Sequence, residues 1–297
     1  MKRNFLDTRI SLSKLLSIPT HLVVLLLSLS FLYLLIITVA NDVINYTVIW
    51  ELSQSMGFFE LFRSRRIEFG SLFILWGFSN YFSAISTIFL TGLIALIVKY
   101  WIFISYVHRG FLAYILYVLT FAHILDANQL RASLALCFLL YALLSEPKSK
   151  YTYLWLASFA VIFHYSGIFI LVLYFTRAPI LLGFLIVIFS IGFEWLVLSS
   201  PYFSFAHIWL STAPGLVSFI NSFWIMQLLI LIICVLSWSK LSEGQKRGAV
   251  LNMAGVVVYV AFYTNPIMAH RVRELSQLGI FAILFLGPER LTPAKFG

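Results

Sequence analysis

The chain has 297 residues, of which 62% are hydrophobic and 10% charged, against roughly 25% charged in a soluble domain. That composition excludes a soluble globular fold and predicts an all-α integral membrane protein. The net charge of +9 would point to nucleic acid in a soluble chain. Here the basic residues fall between apolar runs, where the positive-inside rule accounts for most of them, and no nucleic-acid partner is expected.

Apolar runs long enough for the hydrocarbon core recur from end to end, so a single membrane domain, 1–297, is expected. Met1 to Ile18 carries Lys2, Arg3, Arg9 and Lys14 among Phe5, Leu6, Ile10, Leu12, Leu15 and Leu16. It reads equally as a short interfacial helix or an unstructured anchor. The run after it is too long for a cleaved signal peptide and is read as a retained first span.

Spans are expected near 19–40, 82–104, 110–125, 129–145, 151–164, 166–176, 180–198, 216–238, 248–263 and 275–288, about ten in all with both termini inside. The segment 69–79, ended by Ser79-Asn80-Tyr81, is too short to cross and reads as a re-entrant half-helix on the outer side. Charge decides the run from Tyr151 to Phe175. As one crossing it would put Arg177, Lys240, Lys246, Arg247, Arg290 and Lys295 outside, so two short helices meeting near His164 are expected.

The basic residues placed at the outer face are Arg63, Arg65, Arg66, Arg131, Arg271 and Arg273, all arginine and none lysine. That choice suits forked recognition of phosphate or carboxylate. Four connections deliver polar groups to the same face. The first carries Asp42, Tyr46, Glu51, Glu60, the arginine cluster and Glu68; the second Asp126, Asn128 and Arg131; the third, "FHYSGIF", His164 and Ser166; the fourth, "NPIMAHRVRELS", His270, Arg271, Arg273 and Glu274.

Each residue also has a plain structural reading. Arg131 can snorkel from the end of its span. Glu68 can cap the half-helix, His164 can be a hydrogen-bonded packing residue, and Arg271 and Arg273 can pair with Glu274. Arg63, Arg65 and Arg66 can contact headgroups, and Cys137 and Cys234 read as packing thiols. Jointly these readings are weaker, because ionisable groups at membrane depth mark pathways or sites. A shared pocket is the economical expectation. There is no glycine-rich phosphate loop, no Asp-x-Asp pair and no Cys or His pair at metal spacing, so neither a metal nor another cofactor is expected.

The order of these elements resembles the EpsG-like branch of the Wzy-type polysaccharide polymerases. The resemblance lies in "ND" and "NY" followed by "RIEFGSLFIL", then "LRASLAL", then "IFHYSGIFIL", and an arginine pair in "HRVREL". Asp42, Tyr46, Glu68, Arg131, His164 and Ser166 match the family's pattern. The aromatic pair expected near the last span is replaced by Leu275 and Ser276, leaving either Arg271 or Arg273 as the counterpart of the family's arginine.

The resemblance implies a metal-independent glycosyltransferase of GT-C-like architecture, acting at the periplasmic face of a bacterial inner membrane. Its donor and acceptor would be oligosaccharide repeat units of O antigen or capsule on undecaprenyl diphosphate. A chain-length regulator and a flippase of the same pathway would be its partners. Arg131 with Arg271 or Arg273, supported by Arg66, would bind the diphosphate. Either His164 or Asp42 would take the proton of the attacking hydroxyl, with His164 preferred. Tyr46, Glu68, Asp126, Asn128, Ser166 and Glu274 would support them. A membrane acyltransferase acting on surface sugars and a transporter or flippase for lipid-linked sugars are the competing readings.

Overall fold

A computed structural model describes residues 6–38, 43–65, 68–107, 109–122, 126, 129–145, 147, 149–177, 188, 192, 222–261 and 275–286. Among the described residues every regular element is helical. In chain order they are α1 (Leu6–Thr38), α2 (Val43–Ser55), α3 (Phe58–Arg65), α4 (Phe69–Ser79), α5 (Ala84–Tyr106), α6 (Gly110–Thr120), α7 (Leu130–Ser145) and α8 (Lys150–Phe163). A segment of 3-10 geometry follows, Tyr165–Arg177, and then α9 (Ser222–Leu236), a short 3-10 turn (Trp238–Lys240), α10 (Glu243–Ala261) and α11 (Gly279–Phe285).

Two of these helices are long and apolar enough to cross a membrane, Thr20–Thr38 within α1 and Ala84–Tyr106. The other apolar helices are shorter: α6 has 11 residues, about 16 Å of rise against a hydrocarbon core about 30 Å thick. The N-terminal segment is helical from Leu6 and continuous with the first apolar run through Pro19.

The chain groups into two compact units. The first comprises Met1–Phe103 and Phe111–Leu134, the second Ile104–Gly110 and Ala135–Gly297.

In the first unit α2, α3 and α4 pack together. The Phe58 ring on α3 meets Phe62, Phe69, Phe73 and Trp76 within 6.5 Å between centroids. At the far end of α4 the Ser53 hydroxyl bonds Ser79 Oγ at 2.5 Å, Gln54 Nε2 donates to the Ser79 carbonyl at 2.7 Å, and Trp50 Nε1 donates to the Phe82 carbonyl at 2.9 Å. These bonds fix α4, and so fix where its first residues present Glu68. Alongside α5 runs α1, in contact through the Tyr33 and Phe89 rings and through His21 against Tyr100.

In the second unit α8 ends at Phe163, His164 is extended (φ −163°, ψ 139°), and the 3-10 segment folds back along α8. The reversal is close because residue 167 is glycine: a Cβ there would stand 2.5 Å from the Ala160 carbonyl carbon and 2.6 Å from the Val161 nitrogen. α10 packs against the 3-10 segment, α9 and α11. Where α10 meets α11, Gly248 and Gly279 lie backbone to backbone with no room for a Cβ on either. Gln227 on α9 donates to Asn252 Oδ1 on α10 at 2.7 Å and to Ser276 Oγ at 3.2 Å, tying three elements with buried polar groups. Cys137 and Cys234 are buried free thiols.

Candidate functional site

Three of the sequence-predicted residues meet in the first unit. Arg131 is the second residue of α7, where the positive end of the helix dipole disfavours a cation by a few tenths of a kcal/mol up to about 1. A carboxylate offsets that cost: Arg131 Nη1 donates to Glu68 Oε2 at 2.7 Å. The backbone N–H of Arg131, one of the helix's orphan donors, reaches the hydroxyl of buried Tyr46 at 3.4 Å.

Glu68 stands at the N-cap position of α4 but makes no side-chain cap, so its carboxylate serves Arg131 rather than its own helix. The Arg131 side chain is 32% exposed and that of Glu68 15%. The Arg131 side chain is therefore partly accessible beside a fixed carboxylate. A forked group with five N–H donors can hold Glu68 on one side and receive two oxygens of an anion on another.

Asp126 and Ser133, on either side of Arg131 in sequence, belong to a second cluster. Asp126, expected at the outer connection between spans, is fully buried and ion-paired with Lys99 of α5, itself fully buried. Lys99 Nζ also donates to Ser133 Oγ at 2.7 Å and to Tyr117 Oη at 2.9 Å. The Tyr117 hydroxyl donates to Asp126 Oδ2 at 2.6 Å, and the Ser133 hydroxyl donates to Asp126 Oδ1. The backbone passes close here because residue 92 of α5 is glycine: a Cβ would come to 3.4 Å from the Asp126 carbonyl and 3.1 Å from Leu32. Asp126 thus meets α5 at Gly92 and Lys99, and Lys99 lies about 22 Å along that helix from Ala84 at 1.5 Å of rise per residue.

Sequence reasoning passed over Lys99 because it falls in the apolar run "LIALIVKYWIF", near the end assigned to the inner face. The available signal was the lysine itself, since an ionisable group inside a span calls for a partner.

His164 and Ser166 come together in the second unit. His164 Nδ1 lies 2.8 Å from Ser166 Oγ and accepts the Ser166 backbone N–H at 3.2 Å. The imidazole thereby caps the start of the 3-10 segment as an Asx-type side chain would. With Nδ1 accepting, the neutral ring carries its proton on Nε2. Both residues are buried. Also buried in this unit, Arg247 on α10 donates from Nη1 to Tyr153 Oη on α8 at 2.6 Å. Asp42, Arg66, Asn128, Arg271, Arg273 and Glu274 lie outside the described residues.

Described residues whose regular elements are all helical, two of them long and apolar enough to cross a membrane, with a buried lysine of one paired to an aspartate, have the pattern of a helical membrane protein. The model of the EpsG family matches residues 20–287, and the chain belongs to that family, as its motif order indicated. Membership places it among polysaccharide-related membrane proteins of glycosyltransferase-like character. No curated protein and no solved structure matches it.

Proposed function

We propose that the protein is a Wzy-type polymerase that joins oligosaccharide repeat units carried on undecaprenyl diphosphate, at the periplasmic face of the bacterial inner membrane. The donor is the growing chain on its lipid diphosphate and the acceptor is a sugar hydroxyl of the next lipid-linked unit. The bond from the donor's anomeric carbon to the diphosphate oxygen breaks. A glycosidic bond to the acceptor oxygen forms, the hydroxyl proton passes to a base, and the lipid diphosphate leaves.

The observation that carries this reading is Arg131, held at 2.7 Å by Glu68 with a third of its side chain open. Charge develops on the leaving diphosphate as the donor bond breaks. A guanidinium already oriented by a carboxylate stabilises that charge without reorganising at the moment of reaction. Arg66 and one of Arg271 and Arg273 complete the diphosphate ligands in this reading, with Asn128 and Glu274 supporting them. No metal is required.

For the base, Asp42 and His164 divide on chemistry. His164 Nδ1 is engaged by the Ser166 N–H, so as a base the ring would take the hydroxyl proton at Nε2. To accept a proton there, the ring must carry its own proton on Nδ1, turned toward Ser166 Oγ. Asp42 accepts a proton without any such rearrangement.

The test is the length profile of surface polysaccharide in cells lacking the protein and complemented with variants. Single repeat units alone, restored to long chains by the wild type and not by Arg131→Ala, are the expected result. Absence of any units at the surface identifies a transporter, and normal lengths with missing acyl groups identify an acyltransferase.

A further inference from the structure

A lysine and an aspartate that are both fully buried are not a stability device by default. Apolar residues of similar volume in their place are often neutral or stabilising. What a closed polar network provides is one geometry, so the question is which part of the molecule it fixes.

The network is closed around both charges. Lys99 has three donors and three acceptors receive them: Asp126, Ser133 at 2.7 Å and Tyr117 at 2.9 Å. The two hydroxyls each accept from the ammonium and donate to the carboxylate. The four residues come from α5, from α6, from the connection that follows α6 and from the first turn of α7. Ser133 stands two residues beyond Arg131 in that turn, and Asp126 stands four residues before its first residue, Leu130.

The network therefore grips the start of α7 on both sides of Arg131, while Tyr46 and Glu68 hold Arg131 itself. We infer that Lys99 is a positioning residue: with Asp126, Tyr117 and Ser133 it sets the register of the first turn of α7, so that the Arg131 guanidinium is held at the place where the anionic leaving group forms. The inference rests on the reading of Arg131 as a diphosphate ligand. Lys99 acts only through Arg131 and touches no substrate.

The experiment uses the full chain in lipid nanodiscs. Lys99→Met alone strands Asp126, so the informative variants are Ser133→Ala and the double variant Lys99→Met with Asp126→Leu, which removes both charges. Backbone hydrogen exchange at residues 130–134 is expected to accelerate by about tenfold or more in the double variant, while the core of α5 keeps its protection.

Chain lengthening on lipid-linked repeat units is expected to fall about tenfold with Arg131 present. In an Arg131→Lys background the same change costs less than about twofold, because residues acting through one group are not additive. Equal losses in both backgrounds, or unchanged exchange at 130–134, overturn the positioning role. Full activity of Arg131→Lys and Arg131→Ala would instead remove the diphosphate reading and the catalytic part of the inference, while the exchange result still reports whether the network pins the turn.

Discussion

Arg131 and Glu68, 63 residues apart in sequence, are joined by a 2.7 Å hydrogen bond that links the first turn of α7 to the N-cap residue of α4. The pair spends the carboxylate that α4 would otherwise use as its own cap. Its purpose is therefore found at the arginine.

A partly exposed pair of this kind contributes about 1 kcal/mol or less to stability. Arg131→Ala is accordingly expected to insert and fold as the wild type does, by membrane yield and melting temperature, while chain lengthening falls by about a hundredfold or more. Glu68→Gln keeps a hydrogen-bond acceptor but loses the charge, and a smaller loss of activity than in Arg131→Ala is expected. Long chains from Arg131→Ala would contradict the role given to it.

At His164 the two roles can be separated chemically. Asparagine also caps through its side chain, so His164→Asn is expected to keep the α8 reversal, and with it normal yield and melting, yet to lose chain lengthening if the imidazole moves a proton. His164→Asn with full activity would leave Asp42 as the base. Ser166→Ala keeps the backbone N–H bond to Nδ1 and is expected to be the milder change.

Removing one partner of the buried Lys99–Asp126 pair leaves an uncompensated charge, at a cost of about 3–5 kcal/mol. Lys99→Met is expected to lower the melting temperature sharply, and Lys99→Met with Asp126→Leu to recover most of the loss. A double variant as unstable as the single would mean that the charges themselves hold the first unit together.

Gly167→Ala forces a Cβ into the α8 backbone at 2.5 Å from Ala160, and overpacking of this kind costs about 1–3 kcal/mol or more. Reduced yield of folded protein is expected. Gly77, inside α4 with nothing within 4 Å of a built Cβ, is the control. There Ala is expected to be neutral or to stabilise by up to about 1 kcal/mol through helix propensity.

The helical class and the break at His164 were readable from the chain. Hydropathy marks where helices run, and "FHYSG" places a histidine and a glycine where the chain must turn. Arg131, Glu68 and Tyr46 could be grouped because they share one kind of connection. Lys99 could not be found that way. Its partner Asp126 was assigned to an outer connection, and only the folded chain brings Asp126 against α5 at Gly92 and Lys99. The two-unit division also left no trace in composition, since both units are equally apolar.

The 27-residue separation of Lys99 from Asp126 bears on how the chain is made. An ammonium within α5 that enters the bilayer alone costs roughly 2.5 to 3.5 kcal/mol, and its counter-charge has not yet left the ribosome when α5 has. Tyr117 emerges next, Asp126 after it, and Ser133 last. Stable residence in lipid thus comes to α5, α6 and α7 together rather than one at a time. The order of synthesis makes Asp126 the residue whose arrival first gives the Lys99 charge its partner.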